Sequence, residues 1–261
     1  VPVQIAKEAR EAGFRLIDKD VTGSTSDDAR RALEAGDPGQ LWIVAEAQTQ
    51  GRGRHGRVWD SPKGNLFASL LLVDPCDMRH AAQFGYLVGL SLHDAIGEHS
   101  PDISDSLRLK WPNDLLFGRA KVAGILLEGH RAPGGKSAII IGIGVNVAYA
   151  PDGMPYPTAR VQDFAPQIDR ALLFEALSRR LALRYTQWRA ALNMPGMLAK
   201  LRDEWIMRAA GLDQTVTIRL PSGPREGIFT GLDSEGRLLL ATQSGIETID
   251  AGDLYFPGHT A

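Results

Sequence analysis

The sequence predicts an α+β fold: a mixed, largely antiparallel sheet with helices, followed by a small C-terminal β-barrel. Three observations predict it. Strand-like runs at Leu107–Trp111, Asp114–Phe117, Val122–Glu128 and Ala138–Val147 follow one another with only short turns between them, which favours antiparallel neighbours. Helical periodicity comes in separate blocks rather than in strict alternation with strands. After Gly211 the chain turns to short alternating strands broken by turn residues. The reading divides the chain into residues 1–210 and 211–261.

Each element has a local reason. Ser24-Thr25-Ser26-Asp27-Asp28 carries hydroxyl caps and first-turn acids, so a helix starts there, and Gly36 marks its end. Leu41–Ala47 reads as a strand, and the continuous apolar run Leu66–Val73 as a buried one. Met78–Glu98 places Phe84, Leu87, Val88, Leu92 and Ala95 at the period of a core-facing helix. The Gly118-Arg119 pair suits a tight hairpin, and the helices are expected on one side of the sheet. Leu172–Leu192 and Met197–Ala209 read as two further helices separated by Pro195-Gly196. Thr215–Leu220, Glu226–Leu232, Leu238–Thr242 and Glu247–Ile249 then supply the strands of the small barrel. Pro151–Pro157 is the one long loop, rich in Pro and Gly, of the kind that covers sites.

Composition narrows the function classes. The 261 residues are 44% hydrophobic and 23% charged, as in a soluble globular protein, and the net charge of −2 gives no global field for nucleic acid or anionic membrane. Any anion must be met by local charges. The single cysteine, Cys76, excludes an internal disulfide and a cysteine metal cluster, which favours a reducing cytoplasm. The apolar runs are far shorter than the roughly 20 residues that span a bilayer. The histidines show no zinc-ligand spacing, so no protein-held metal is expected.

Two segments concentrate chemistry. Gln48-Thr49-Gln50-Gly51-Arg52-Gly53-Arg54-His55-Gly56-Arg57 follows a predicted strand, with glycines that bring backbone N–H groups close to a ligand and arginine forks suited to carboxylate and phosphate. It matches G-x-G-x-x-G, but the turn-like Arg57–Gly64 stands where a dinucleotide-binding motif needs a helix. Taken alone, the loop is equally well a solvated charged turn. Lys110-Trp111-Pro112-Asn113-Asp114 interrupts two strands and gathers polar groups at their junction. Lys121 enters the next strand, and Gly124 lets something approach that strand closely. Gly134-Gly135-Lys136-Ser137 resembles the end of a P-loop, but His130 replaces its required glycine, so it reads as a hairpin turn.

Ser24-Thr25, Gln48…Gly51-Arg52-Gly53-Arg54-His55-Gly56…Trp59, Lys110-Trp111-Pro112-Asn113-Asp114, Lys121-Val122-Ala123-Gly124-Ile125-Leu126 and Gly142-Ile143-Gly144-Val145-Asn146, in this order, closely resemble the biotin–protein ligases. That resemblance covers nearly the whole chain and implies an α+β catalytic domain followed by an SH3-like barrel. It implies ATP with Mg²⁺, biotin as substrate, biotinyl-5'-AMP as intermediate and a biotin carboxyl carrier domain as acceptor. Ser24, Thr25, Ser26, Gln48, Gly51, Arg52, Gly53, Arg54, Lys121 and Gly124 would then bind biotin. Arg52, Arg54, Arg57, Trp59, Lys110, Asn113, Asp114, Lys121 and Asn146 would bind ATP or the adenylate, with the metal carried by ATP near Asp114. Arg54, Lys121 and Asp114 would be catalytic. Two positions depart from the family pattern: Ser26 stands where Asn is common, and His55 where a further arginine is common.

The chemistry requires such residues. A carboxylate must attack the α-phosphate of ATP, so two anions have to meet, and arginine, lysine and Mg²⁺ offset the repulsion. The mixed anhydride must be kept from water, for which Gly51–Arg57 and Tyr149–Pro157 are the expected covers. About 15 residues precede the predicted first strand, too few for a DNA-binding helix-turn-helix module, so no nucleic acid is expected. Monomer and homodimer both remain open. A lipoate ligase and a non-enzymatic biotin-responsive module are the competing readings.

Overall fold

The computed structural model describes residues 2–191 and 197–257. Its larger sheet has seven strands: β1 (Arg15–Thr22), β2 (Leu41–Gln48), β3 (Leu66–Val73), β4 (Leu107–Lys110), β5 (Asp114–Phe117), β6 (Ala120–Arg131) and β7 (Ser137–Val145). They lie in the order β1-β2-β3-β7-β6-β5-β4. Only β1 and β2 pair in parallel; every other neighbour is antiparallel, as the short connections predict. Phe117 pairs with Ala120 across Gly118-Arg119, and Gly118 has a φ of +58°, which makes the two-residue hairpin feasible.

Apolar side chains at alternate positions of β2 go to opposite faces, and both faces are buried. Trp42 and Val44 join the large core under α3 (Gln83–Gly97) and α4 (Arg170–Ala190), with Leu70, Leu72, Ile139 and Ile141. Leu41 and Ile43 join a second, smaller core with Leu71 and Ile140, closed by Ala29 and Leu33 of α2 (Thr25–Glu34). The expectation of helices on one side is therefore corrected: α2 covers the opposite face. A run of apolar residues shows burial but not from which side, because a strand enclosed on both faces loses its alternation.

Helix α2 begins as its sequence requires. Ser24 is extended and its hydroxyl accepts the Asp27 N–H at 3.4 Å, Asp27 and Asp28 lie in the first turn, and Gly36 follows at a φ of +85°. The Met78–Glu98 block divides into a single tight turn at Met78–His80 and α3. β1 begins at Arg15, close to where the first strand is expected, whereas the short helix Lys7–Glu11 has no counterpart in the sequence-based expectations. A further helix spans Met197–Met207, whereas Leu192 and the Pro195-Gly196 break lie outside the described residues.

The C-terminal strands are β8 (Thr215–Leu220), β9 (Gly223–Leu232), β10 (Leu238–Thr242), β11 (Gly245–Ile249) and β12 (Asp253–Tyr255). They form one antiparallel sheet in the order β11-β10-β9-β8-β12. The barrel expected here is this five-stranded sheet, with β11 and β12 at its two edges rather than joined. It docks through Tyr86, whose hydroxyl donates to the Gly236 carbonyl, and through Arg119, stacked 3.8 Å from the Phe256 ring. That docking brings β12 beside the turn between β4 and β5, where Lys110 donates to the Leu254 carbonyl at 3.2 Å.

Candidate active site

A cleft opens on the α2 face of the larger sheet and runs to β12 of the C-terminal sheet. Its floor is bare because Gly142 and Gly144 of β7 alternate on the same face as Ile140, and Gly124 of β6 pairs with Gly144. A Cβ on Gly144 would stand 2.6 Å from Trp59 Nε1, and one on Gly124 would stand 3.1 Å from Trp59 Cζ3. The indole therefore lies directly over the two glycines. Its Nε1–H is buried against that floor with no hydrogen-bond partner among the described residues.

One end of the cleft is polar and uncharged. Ser69 Oγ donates to Thr25 Oγ1 at 2.8 Å, and Thr25 Oγ1 and N–H both donate to Gln48 Oε1, at 3.1 and 2.8 Å. Gln48 Nε2 donates to Ser61 Oγ at 3.1 Å, which donates to the Trp59 carbonyl at 2.8 Å. A hydroxyl has one proton, so Ser69, already donating to Thr25, must accept from Ser26 at 3.0 Å. The whole chain thus points one way. Ser26 and Thr25 spend their protons within the protein and keep lone pairs for a ligand that donates.

The other end is cationic. Asp114, buried at the start of β5, sits between Lys121 Nζ at 2.7 Å and Lys110 Nζ at 3.1 Å. Burial alone would raise its pKa, but the two ammonium groups outweigh burial and hold the carboxyl below its ordinary value. Lys121 also lies 5.3 Å from the Trp59 ring and 5.5 Å from that of Tyr156. Arg54 Nη1 lies 3.2 Å from Asn113 Oδ1, and Asn113 Nδ2 donates to the Ile125 carbonyl at 2.7 Å. Arg54 and Arg57 both reach Asp253 of β12, at 3.1 and 2.8 Å. Arg52 is held by Asp27 through two bonds of 2.8 Å, and the Arg52 hydrogen bond lowers the Asp27 pKa despite partial burial.

Most of the residues singled out in the sequence line this cleft: Ser24, Thr25, Ser26 and Gln48 at the hydroxyl end, Arg52 beside them with its charge met by Asp27, and Gly53, Arg54, Arg57, Trp59, Lys110, Asn113, Asp114, Lys121 and Gly124 beyond. Gly51 and Asn146 do not line it. Gly51 is confined by packing, since a Cβ there would come within 2.5 Å of the Trp59 carbonyl oxygen. Asn146 braces the strand behind the lysine: its N–H donates to the Val122 carbonyl at 2.8 Å, and its side chain reaches the Lys121 carbonyl at 3.5 Å. His55 is exposed and outside the lining. The sequence reading missed Ser61, Ser69, Tyr156 and Asp253. Tyr156 lay within a loop already marked as a cover, whereas the other three carry no local signal.

No group of three His, Cys, Asp or Glu side chains suited to a metal occurs among the described residues. Both Asp114 oxygens face ammonium groups, so that carboxylate is not placed as a metal ligand. A metal ion here would have to arrive on its phosphates.

Comparison with known proteins agrees with this geometry. Residues 20–146 match the biotin/lipoate A/B protein ligase family, and residues 211–256 match the biotin protein ligase C terminal domain. A biotin–[acetyl-CoA-carboxylase] ligase of Paracoccus denitrificans is 36% identical over 91% of this chain and 98% of its own length. A biotin protein ligase from Aquifex aeolicus, solved in complex with biotin and ATP, superposes with a TM-score of 0.78 at 27% identity, covering 92% of this chain and 97% of that one. One from Leishmania major, solved with biotinyl-5-AMP, gives 0.65 at 25% identity, over 91% and 99%. With both halves matched and a cleft that is uncharged at one end and cationic at the other, the chain belongs to the biotin protein ligases.

Proposed function

We propose that this cleft performs both halves of ATP-dependent biotin ligation. The biotin carboxylate attacks the α-phosphate of ATP, forming biotinyl-5'-AMP and releasing pyrophosphate. The ε-amine of a carrier lysine then displaces AMP and becomes an amide, losing its proton. The observation that carries this reading is the polarity of the cleft, with acceptor hydroxyls at one end and two lysines and two arginines at the other.

Ser26 and Thr25 are set to accept, which suits the N–H groups of a ureido ring and offers nothing to a dithiolane ring. This favours biotin over lipoate. Lys121, with Lys110 behind the same carboxylate, meets the reacting carboxylate and α-phosphate, while Arg54 and Arg57 face the phosphates. Trp59 covers the glycine floor beside Lys121 and offers an aromatic face to the adenylate. Asp114 acts by orienting its two lysines. Mg²⁺, carried by ATP, would add charge neutralisation at the phosphates, and no cluster of metal-ligating side chains among the described residues prepares a place for it.

The acceptor is a biotin carboxyl carrier domain, the partner class that the Paracoccus relative's name points to. The single cysteine supports a cytoplasmic setting, and the chain divides into a catalytic part, 1–210, and a C-terminal part, 211–261. Incubation with ATP, biotin and a carrier domain should give one biotinylated lysine, and thermal shift should respond to biotin. No transfer, or stabilisation by lipoate alone, would overturn the proposal.

A further inference from the structure

Asp253 has no part in the reaction as described, yet it touches two of the groups that do. It lies 199 residues from Arg54 in the chain, on β12 at the edge of the C-terminal sheet. One oxygen is 3.1 Å from Arg54 Nη1 and the other 2.8 Å from Arg57 Nη2. The preceding Gly252 carbonyl accepts from the same Arg54 nitrogen at 3.2 Å. Asp253 is largely buried, its side chain 16% exposed.

A guanidinium has five N–H donors in a rigid plane. The contacts to Asp253 occupy one terminal nitrogen of each arginine, so each fork keeps donors for phosphate while its direction is fixed. The carboxylate also separates two like charges that would otherwise repel on a short glycine-rich loop. The loop's own backbone bonds, from Gly53 N–H to the Arg57 carbonyl at 2.7 Å and from Arg57 N–H to the Arg54 carbonyl at 3.2 Å, fix the turn but not the direction of the two long side chains.

We propose that Asp253 is a positioning residue for Arg54 and Arg57, and that through it the C-terminal sheet holds the arginine loop closed over the adenylate. The inference rests on the ligase reading above. It makes the second half of the chain part of the first half's chemistry: retention of the intermediate depends on a carboxylate contributed by β12.

The test uses the full chain with ATP and biotin, with and without a carrier domain, and measures free biotinyl-adenylate, the KM for ATP and kcat. Asp253→Ala is expected to raise the KM for ATP roughly tenfold, as loss of a charged partner does, and to release adenylate into solution. Asp253→Glu, which keeps the carboxylate, should restore most of the retention. Tyr86→Phe serves as the comparison, because it loosens the same interface at Gly236, away from the loop, and should retain adenylate as the unaltered chain does. Wild-type retention and KM in Asp253→Ala would overturn the inference, as would equal leakage from Tyr86→Phe, which would mean general loosening. Failure of the unaltered chain to biotinylate a carrier would instead sink the ligase reading itself.

Discussion

Replacing Asp114 by Asn keeps the shape of the side chain and removes its charge. The carboxylate faces Lys121 at 2.7 Å and Lys110 at 3.1 Å. At an effective dielectric of about 20, each attraction is worth about 5–6 kcal/mol before desolvation. Desolvation cancels part of that, and removing one member of a buried pair costs about 3–5 kcal/mol net. In a chain of this size each kcal/mol moves the midpoint by about 2–4 °C, so Asp114→Asn should melt about 6–20 °C lower. Its pH dependence has a definite sign. The folded pKa lies below the ordinary 3.8, so the stabilisation is fully present above 3.8 and is lost as pH falls through the folded value. The difference in melting temperature should therefore hold steady from about pH 5 to 8 and shrink only in stronger acid. Pyrophosphate should stabilise the variant more than the unaltered chain, because it supplies the missing negative charge between the lysines. Melting within about 2 °C of wild type, with the same response to pyrophosphate, would refute the argument.

Other outcomes follow from the same geometry. Lys121→Ala should lower the rate of adenylate formation by about 100-fold or more with a smaller change in biotin affinity, measured by pyrophosphate release and calorimetry. Arg54→Gly should release biotinyl-adenylate, detected as biotin on bystander proteins. Ser69→Ala removes the group that orders the Thr25 and Ser26 hydroxyls, so the KM for biotin should rise about 5–10-fold with little effect on that for ATP. Gly144→Ala pushes a methyl group into Trp59 and should weaken biotin binding at a stability cost of about 1–3 kcal/mol, seen in a denaturant melt.

The parts legible in the sequence were those with a local cause. Leu66–Val73 and Asp114–Phe117 match their strands end for end because apolar runs bounded by turn residues have few other ways to fold. Ser24 was legible because a cap acts over one turn. The side of the sheet taken by α2 was not, since it depends on which face the rest of the chain leaves open. The site divides in the same way. Its arginine loop and lysines were visible as motifs, whereas Ser69 and Ser61 are ordinary serines whose role comes only from their hydrogen-bond partners. Asp253 became part of the site only once a second sheet had docked.

The charge pattern of the cleft explains why such long-range partners are needed. Four cations, Lys110, Lys121, Arg54 and Arg57, face two carboxylates, Asp114 and Asp253, and each carboxylate lies between two cations. Without the carboxylates the four cations would repel one another and would have to be gathered by the substrates, so that binding energy would go into organising the site. Too strong a positive field would also hold departing pyrophosphate. One carboxylate per pair fixes the direction of each cation and halves the surplus charge, leaving enough to offset the approach of two anions. Such preorganisation is what stabilises developing charge without reorganisation during the reaction. The price is that the site is complete only when β12 is in place, which ties the chemistry of the larger sheet to the docking of the smaller one.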